Sequence, residues 1–209
     1  MSRSLHTSAA ILFLAFLSLA RAQQAPPAPR APRKLSAQLL DPGALTGHTY
    51  HNAALGFACQ IPEGWVFRTA EMNQSEAAAD ASPSRVLLAA FSRPPEAKGE
   101  DVNSSILIAA EPISSYPGLK DPAQYFGPVT EVAKAQGFDI AEEPYEFSVG
   151  AKPLVRGDFE KNVGSRAMHQ STLVMLAKGH AVSFTFIGGT EDEVGELIAG
   201  LNFTVTKSK

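Results

Sequence analysis

Hydrophobic and polar residues alternate through Tyr50–Ile61, and this pattern predicts a strand with one buried face. The two-residue period of a strand places Leu55, Phe57, Cys59 and Ile61 on that face. Cys59 is the only cysteine, and its position predicts a small buried hydrophobic residue. A reactive thiolate requires a basic and partly exposed neighbourhood, which this pattern does not indicate.

A Pro-Glu-Gly turn follows this strand and predicts the start of a second one. Pro62 and Gly64 turn the chain so that Trp65, the only tryptophan, packs beside the buried face. Two later runs, Arg85–Ser92 and Ser105–Pro112, are apolar at almost every position. Continuous apolar strands of this length are typical of the centre of a sheet that is covered on both sides.

Hydrophobic spacing of three and four residues predicts a helix over Asp121–Gln136. Asp121 is suited to the N-cap, Pro122 fits the first helical position, and Gln124 completes a capping box. Pro128 falls inside this segment, where it removes a backbone hydrogen bond. We therefore expect either a kink or two short helical pieces.

A second helix is predicted after Thr190-Glu-Asp-Glu193, which forms another capping box. The hydrophobic face of this helix is formed by Val194, Leu197, Ile198 and Leu201. Residues 70–84 are polar and rich in alanine, and they predict a loop with a single helical turn.

Short turns join most of the remaining strands. These strands are predicted at residues 138–140, 145–149, 152–161, 165–177 and 180–187. Because the connections are hairpins, the sheet is expected to be mainly antiparallel. About eight strands, with two helices that come late and separately, predict the α+β class and not a doubly wound sheet.

The first 22 residues have the three parts of a secretory signal peptide. Arg3 and His6 lie in a short polar start, residues 9–20 form an apolar run, and Ala20-Arg21-Ala22 is a small-x-small cleavage site. A membrane anchor is the alternative, but a spanning helix needs about 20 apolar residues. We therefore predict export to the periplasm or beyond, with no integral membrane segment after cleavage.

The composition changes twice after the predicted cleavage site. Residues 23–44 begin with a stretch rich in proline, alanine and basic residues, and they predict a disordered linker. Residues 45–206 are predicted to form a single globular domain. Three Asn-x-Ser/Thr sequences within it, at Asn73, Asn103 and Asn202, are acceptors for glycosylation in a host that modifies exported proteins.

The charge distribution narrows the classes of partner. The net charge of the whole chain is −3, but residues 36–209 carry 13 basic and 21 acidic residues, a net charge of −8. An acidic domain binds phosphate backbones and anionic lipid surfaces poorly, because both require lysine and arginine. We therefore expect no nucleic-acid partner, and the candidate partners are another protein or a small molecule.

The predicted hairpin over residues 152–177 carries the largest group of polar residues. If a three-residue turn places Lys161 opposite Ser165, one face collects several charged side chains. The residues of that face are Arg156, Asp158, Glu160, Arg166 and Gln170. Two arginines suit a carboxylate ligand, whereas a solvated face with cross-strand pairs is the alternative. Our candidate binding residues are Arg156, Asp158, Arg166 and Gln170, together with His169.

Catalytic and metal-binding motifs are absent from the sequence. His169 and Ser171 share the opposite face of the predicted hairpin, and they indicate a nucleophile and a base only in outline, without a nucleophile elbow or a third group. No H-x-x-x-H or C-x-x-C spacing occurs. We therefore assign no catalytic residue, no cofactor and no metal site.

Two stretches resemble the PsbP-like or Mog1-like group, which includes many small secreted bacterial proteins of unknown function. The first comprises Tyr50-His-Asn-Ala-Ala-Leu-Gly-Phe57 and Ile61-Pro-Glu-Gly-Trp65, and the second is Phe184–Phe203. The resemblance covers about residues 45–206. It implies a central antiparallel sheet with helices packed on both faces, and members that act as binding or assembly factors. The group has no shared catalytic motif, so no functional residue is carried over.

Three functions remain open. The leading hypothesis is a non-enzymatic binding or accessory factor of the cell envelope. The alternative is a small extracytoplasmic hydrolase that uses the His169 and Ser171 face, and it requires a polar pocket with a carboxylate close to His169. A third possibility is recognition of another protein through an exposed strand edge.

Export is tested by the mass of the chain recovered from the envelope or the culture medium. We expect the exported protein to begin at Gln23, because cleavage follows the small residue Ala22. Recovery of a chain that still begins at Met1 in the membrane fraction would contradict a cleaved signal peptide and favour an anchor.

Overall fold

The computed structural model describes residues 40–78, 84–97, 99 and 102–203. Its strands are β1 (Ala44–Thr46), β2 (Thr49–Asn52), β3 (Phe57–Gln60), β4 (Val66–Phe67), β5 (Arg85–Phe91), β6 (Ser105–Pro112), β7 (Asp139–Val149), β8 (Lys152–Val163), β9 (Arg166–Ala177), β10 (His180–Gly188) and β11 (Leu201–Phe203). Its α-helices are α1 (Thr69–Ala78), α2 (Phe126–Ala135) and α3 (Glu191–Ala199). The predicted signal peptide and residues 23–39 lie outside the described residues.

The strands form two antiparallel sheets. The larger sheet has seven strands in the order β4-β5-β6-β10-β9-β8-β7, and the smaller sheet has four in the order β1-β2-β3-β11. Every recorded strand pair is antiparallel. The predictions of a mainly antiparallel sheet and of the α+β class are therefore confirmed. The sequence pattern did not separate the strands into two sheets.

Strand β7 is longer than predicted. The two predicted pieces, 138–140 and 145–149, belong to one strand, and the residues between them include Pro144. The pairing with β8 shifts register between Ile140 and Glu142 and again between Glu142 and Tyr145. β7 lies at the end of the sheet, and an edge strand accommodates bulges and a proline that a central strand does not.

Helix α1 occupies a segment that was predicted as a loop. It lacks a hydrophobic stripe, so hydrophobic periodicity gave no signal for it. Its side chains instead bind the free backbone edge of β5. Thr69 Oγ1 accepts from Ala89 N at 2.9 Å, Asn73 Oδ1 accepts from Val86 N at 3.1 Å, and Asn73 Nδ2 donates to Val86 O at 2.9 Å. These bonds satisfy groups that a neighbouring strand would otherwise bind.

The predicted helix over Asp121–Gln136 is divided into two pieces, as one of the two expectations had it. A 3₁₀ turn at Pro122–Tyr125 leads directly into α2. The capping box is present, because Asp121 Oδ1 accepts from Ala123 N at 2.8 Å and Gln124 Oε1 accepts from Asp121 N at 3.2 Å. The boundary between the two pieces precedes Pro128. Pro128 lies in the first turn of α2, where even an ordinary residue's N–H has no acceptor within the helix, so the missing N–H costs no helical hydrogen bond.

The larger hydrophobic cluster joins the small sheet and α3 to the large sheet. Phe57 of β3 packs edge-on against Phe184 of β10, with their ring centroids 4.9 Å apart. Cys59 is fully buried in this cluster, and burial raises the pKa of its thiol to about 12. Its predicted role as a buried hydrophobic residue is confirmed. Trp65 is only half-buried and packs at the margin of the cluster.

A second hydrophobic cluster joins α2 to strands β8, β9 and β10. Alternate residues of β9 divide between the clusters, since Leu173 belongs to the first and Val174 to the second. Phe126 of α2 lies against Gly157 of β8, where an added Cβ would fall 2.5 Å from the ring atom Cε1. Glycine at this position therefore lets the ring approach the strand backbone.

A buried amide holds the beginning of the domain in place. Asn52 is fully buried; its Nδ2 donates to Asp41 O at 2.9 Å, and its Oδ1 accepts from Leu55 N at 2.9 Å. The neighbouring Tyr50 hydroxyl donates to Pro42 O at 2.7 Å. Gly43 has a φ of +71°, and a Cβ there would lie 2.3 Å from the Tyr50 hydroxyl oxygen. Residues 40–44, which fall in the predicted linker, therefore make contacts with the folded domain.

The role of Asn52 is tested by comparing Asn52→Ala with Asn202→Ala in chemical denaturation. Asn52→Ala leaves the Leu55 N–H and the Asp41 carbonyl without their partner, and each unsatisfied buried group costs about 1–3 kcal/mol. We expect a loss of at least ~2 kcal/mol in the free energy of unfolding. Asn202 is exposed on β11, and its replacement is expected to cost less than about 0.5 kcal/mol. Equal costs would contradict the proposed anchoring.

Candidate functional site

The register of the β8–β9 hairpin determines which polar residues meet. The predicted three-residue turn with Lys161 opposite Ser165 is wrong. The strands are joined by a two-residue turn, Gly164-Ser165, with Val163 opposite Arg166. Gly164 has a φ of +63°, which is the conformation that the first residue of a type II′ hairpin turn requires. The Gly-Ser pair was the sequence signal for this turn.

The corrected register redistributes the candidate binding residues. Asp158 lies opposite Ser171, and Glu160 lies opposite His169, so His169 shares the face of Arg156 and Asp158. Arg166 and Gln170 lie on the other face of the sheet, because Gln170 is opposite Phe159 and Arg166 is opposite Val163. Gln170 is also almost fully buried, with 6% of its surface exposed. The two predicted arginines therefore do not converge on one ligand.

Asp158 is the centre of a hydrogen-bonded network on the face that carries Arg156. Its Oδ1 accepts from Arg156 Nε at 2.9 Å and from the Ser171 hydroxyl. Its Oδ2 accepts from the Tyr145 hydroxyl at 3.0 Å. Arg156 Nη2 donates to Ser171 Oγ at 3.0 Å. The network therefore joins three neighbouring strands, β7, β8 and β9.

The electrostatics of this network are internally balanced. The Arg156 and Asp158 side chains are 21% and 16% exposed, and they form a salt bridge. The Arg156 guanidinium also lies over the rings of Phe147 and Tyr145, at 5.2 and 5.9 Å from their centroids. Burial, and then the charge of Asp158, raise the pKa of Tyr145 to about 12. The Tyr145 hydroxyl therefore remains a donor at neutral pH, and the charge of Arg156 is already compensated.

The arrangement of Ser171 differs from that of a hydrolytic nucleophile. Ser171 is 2% exposed and its hydroxyl is engaged by Asp158 and Arg156. In the described part of the chain, no hydrogen bond joins His169 to Ser171. A nucleophile needs access to substrate, which the burial of Ser171 does not provide, and the only carboxylate recorded on its hydroxyl among the described residues, Asp158, is already paired with Arg156. The role of His169 in binding stays a prediction.

Other candidate sites are limited. Among the residues with described positions, no group of three or more His, Cys, Asp or Glu side chains is placed to hold a metal ion. No helix within the same residues has the length and hydrophobicity needed to cross a membrane. Two glycosylation sequons have engaged side chains: Asn73 Nδ2 donates to Thr69 O at 2.9 Å and Asn103 Nδ2 donates to Arg93 O at 3.0 Å. Asn202 is exposed.

The outer side of β7 is a surface that none of the polar motifs in the sequence indicated. β7 is the last strand of the seven-stranded sheet, and it pairs with β8 through the two-residue turn Gly150-Ala151. In such a hairpin, Val149 and Lys152 flank the turn and each donates a backbone hydrogen bond to the other. Every second residue of β7 counted back from Val149 is bonded to β8 in the same way. Glu146 and Ser148 therefore direct their N–H and C=O groups away from β8. Both residues are exposed.

The two edges of the large sheet differ in how their backbone groups are used. Towards the other edge, the two-residue strand β4 pairs only with Ala90 and Phe91 of β5, and α1 binds the β5 backbone beyond that pairing through Thr69 and Asn73. Over Tyr145–Val149 the register with β8 is regular, and among the described residues no strand pairing or hydrogen bond is recorded for the outward groups of Glu146 and Ser148. This run of β7, which we call the β7 edge, is the candidate functional site. The Gly150-Ala151 turn and the alternating polar residues Glu146 and Ser148 were the sequence signals for it.

No protein-family model matches the sequence, and no curated protein matches it. Solved structures do match. Cyanobacterial PsbP (CyanoP) from Synechocystis sp. PCC 6803 has 16% identity and a TM-score of 0.47, over 78% of this chain and 98% of that chain. The Ran-binding protein Mog1p of Saccharomyces cerevisiae has 10% identity and a TM-score of 0.42, over 71% and 90%.

A third match is LpqN of Mycobacterium tuberculosis, which is described as involved in cell envelope biogenesis. It has 15% identity and a TM-score of 0.36, over 77% of this chain and 80% of that chain. The fold is thus similar to PsbP-like and Mog1-like structures, and the predicted resemblance to this group is confirmed.

The network around Asp158 is tested by comparing Asp158→Ala with Glu160→Ala in thermal and chemical denaturation. Asp158→Ala removes the acceptor of Arg156, Tyr145 and Ser171 and leaves a half-buried guanidinium without its counter-charge. We expect a loss of about 2 kcal/mol or more. Glu160 is exposed on the same strand and face, and its replacement is expected to cost less than about 0.5 kcal/mol. Similar losses in both variants would show that the network is not stabilising.

Proposed function

We propose that this chain is an exported, non-enzymatic accessory factor of the cell envelope that binds an extended segment of another protein along the β7 edge. The observation that carries the proposal is the asymmetry of the large sheet. At one end of the sheet, the part of β5 beyond the short strand β4 is bound by the side chains of α1, whereas in the described residues no hydrogen-bond partner is recorded for the outward backbone groups of Glu146 and Ser148, which are both exposed residues. Exposed groups of this kind accept an added strand.

The geometry sets the length of the bound segment. The regular part of β7 ends at Tyr145, because bulges and Pro144 interrupt the strand before it. Glu146 and Ser148 together offer two N–H and two C=O groups. Four backbone hydrogen bonds, each contributing about 0.5–1.5 kcal/mol, support a short and reversible contact. Such a contact suits an accessory factor that releases its partner.

Export is the second part of the proposal. It is supported by the polar start, the apolar run of residues 9–20 and the cleavage site at Ala20–Ala22. We place the mature protein in the periplasm or outside the cell, with the proline-rich stretch after Gln23 as its linker. An envelope location is also where the acidic domain meets other exported proteins and no nucleic acid.

The layered form of the domain is the third part. We infer that helices cover both faces of the large sheet, as the resemblance implies. The division of β9 supports this arrangement, since Leu173 packs in the cluster with α3 and Val174 in the cluster with α2. The two layers leave the β7 edge as the side of the sheet that a partner reaches.

The hydrolase alternative has less support. It requires His169 to activate Ser171, but the Ser171 hydroxyl is directed to Asp158 and the side chain is buried. Activation would require the network of Arg156 and Asp158 to open. No observation favours that rearrangement over the closed network.

The β7 edge is tested with Ser148→Pro and the matched control Ser148→Ala. Proline removes the outward N–H of residue 148, and an edge strand tolerates it on its solvent side. We expect crosslinked capture from the native envelope fraction to be lost with Ser148→Pro and retained with Ser148→Ala, with both variants folded by circular dichroism.

Hydrogen exchange gives the residue-level readout of the same experiment. The amides of Glu146 and Ser148 should exchange rapidly in the free protein and slowly in the captured complex, because their N–H groups then donate to the partner backbone. Equal capture by Ser148→Pro and wild type, or unchanged exchange at both residues, would overturn the assignment of the binding site to this edge.

A further inference from the structure

We propose that the segment bound at the β7 edge is rich in lysine and arginine, an inference that rests on the proposed function and adds the chemistry of the partner. The backbone of the edge is the site, and the side chains around it select the occupant. The exposed charged side chains of β7 are all acidic, and a further exposed carboxylate lies on β8. The carboxylates concerned are those of Asp139, Glu142, Glu143, Glu146 and Glu160.

Among the described residues, no salt bridge engages these carboxylates. Within residues 40–78, 84–97, 99 and 102–203, the salt bridges involve Glu71, Glu96 and Asp158 and none of the five. The basic neighbour of Glu160 in β8, Lys161, is used elsewhere. Its Nζ donates to Gln136 O at 3.3 Å and lies 4.4 Å from the centroid of the Phe138 ring. The charge along the edge is therefore uncompensated.

The cross-strand pairing makes this charge unfavourable for the isolated protein. Asp139 lies directly opposite Glu160, and neither carboxylate takes part in a salt bridge among the described residues. Like charges in directly opposed positions destabilise a sheet. Lysine or arginine side chains of a bound segment offset this repulsion, and they are also attracted to the same carboxylates. Both effects favour binding of a basic segment.

The charge also argues against a second copy of this chain as the occupant. Pairing β7 with β7 of another molecule doubles the number of carboxylates along the shared edge, which opposes association at low ionic strength. A segment with lysine or arginine at alternate positions has the opposite effect. The bulges before Tyr145 further limit a long self-pairing. The occupant is therefore a basic, extended segment of a different protein.

The experiment uses the full mature chain and three labelled synthetic peptides of ten residues. The peptides share a valine and threonine background and carry lysine, glutamine or glutamate at alternate positions. Fluorescence anisotropy at low salt is expected to give binding of the lysine peptide at least about tenfold tighter than that of the glutamine peptide, with no binding of the glutamate peptide. The lysine advantage should shrink strongly at high salt.

Two triple variants locate the effect. Replacement of Glu142, Glu143 and Glu146 by glutamine removes one charge within the β7 edge and two on the same strand just before it, and is expected to remove most of the lysine preference. Replacement of Glu63, Glu131 and Glu196 by glutamine removes three exposed charges elsewhere and is expected to retain it. An equal loss in both triple variants would show that the preference reflects net charge alone, and it would overturn the inference.

Ser148→Pro separates this inference from the proposed function. If the lysine and glutamine peptides bind equally and Ser148→Pro abolishes both, the edge is the site but the basic specificity is wrong. If the lysine peptide binds Ser148→Pro as tightly as wild type, the peptide does not use the edge, and both the inference and the proposed function fail. Self-association of the free chain in analytical ultracentrifugation that Ser148→Pro abolishes would identify a second copy as the occupant and overturn the inference.

Discussion

The need of backbone groups for hydrogen-bond partners is the constraint on which the organisation of this protein depends. A strand at the end of a sheet leaves N–H and C=O groups that must bind water, a side chain or another strand. At β5 the partners are supplied by Thr69 and Asn73 of α1. At β7 the strand is bulged in its first half and regular in its second. This contrast is the basis of our proposal that the β7 edge serves recognition.

The interior follows from hydrophobic contact between the two sheets. Phe57 and Phe184 meet edge to face at 4.9 Å, and the fully buried Cys59 lies in the same cluster. Asn52 adds the polar counterpart, since its amide ties the first residues of the domain to the β2–β3 turn. The opening stretch that resembles the PsbP-like group is therefore a structural motif, in which Tyr50 and Asn52 fix where the domain begins.

Polar residues on the large sheet show how register limits reasoning from sequence. Alternation along β8 correctly placed Arg156 and Asp158 on one face, because the two-residue period holds for any strand. Which residues of β9 join them depends on the hairpin turn. Because side chains alternate between the two faces, a shift of the pairing by an odd number of residues moves every side chain of β9 to the opposite face. In the observed pairing, Arg166 and Gln170 lie on the face opposite to Arg156 and Asp158, and Ser171 donates to Asp158. Arg156 and Asp158, which were predicted to bind a ligand, therefore bind each other and Ser171 in a hydrogen-bonded network.

The sequence by itself determined the strand-rich α+β class, the antiparallel hairpins, the capping box at Asp121, the N-cap at Thr190 and the buried position of Cys59, because each depends on local periodicity or on adjacent residues. The capping box predicted at Thr190 is incomplete, because the Glu193 carboxylate accepts from Gly189 N and from the Ser104 hydroxyl instead of from Thr190 N. The tertiary structure alone decided the division into two sheets, the presence of α1, and the position of β7 at the end of the large sheet. These features depend on contacts between residues far apart in the chain. Thr69 stabilises a helix by binding Ala89, twenty residues later, and no local pattern encodes that hydrogen bond.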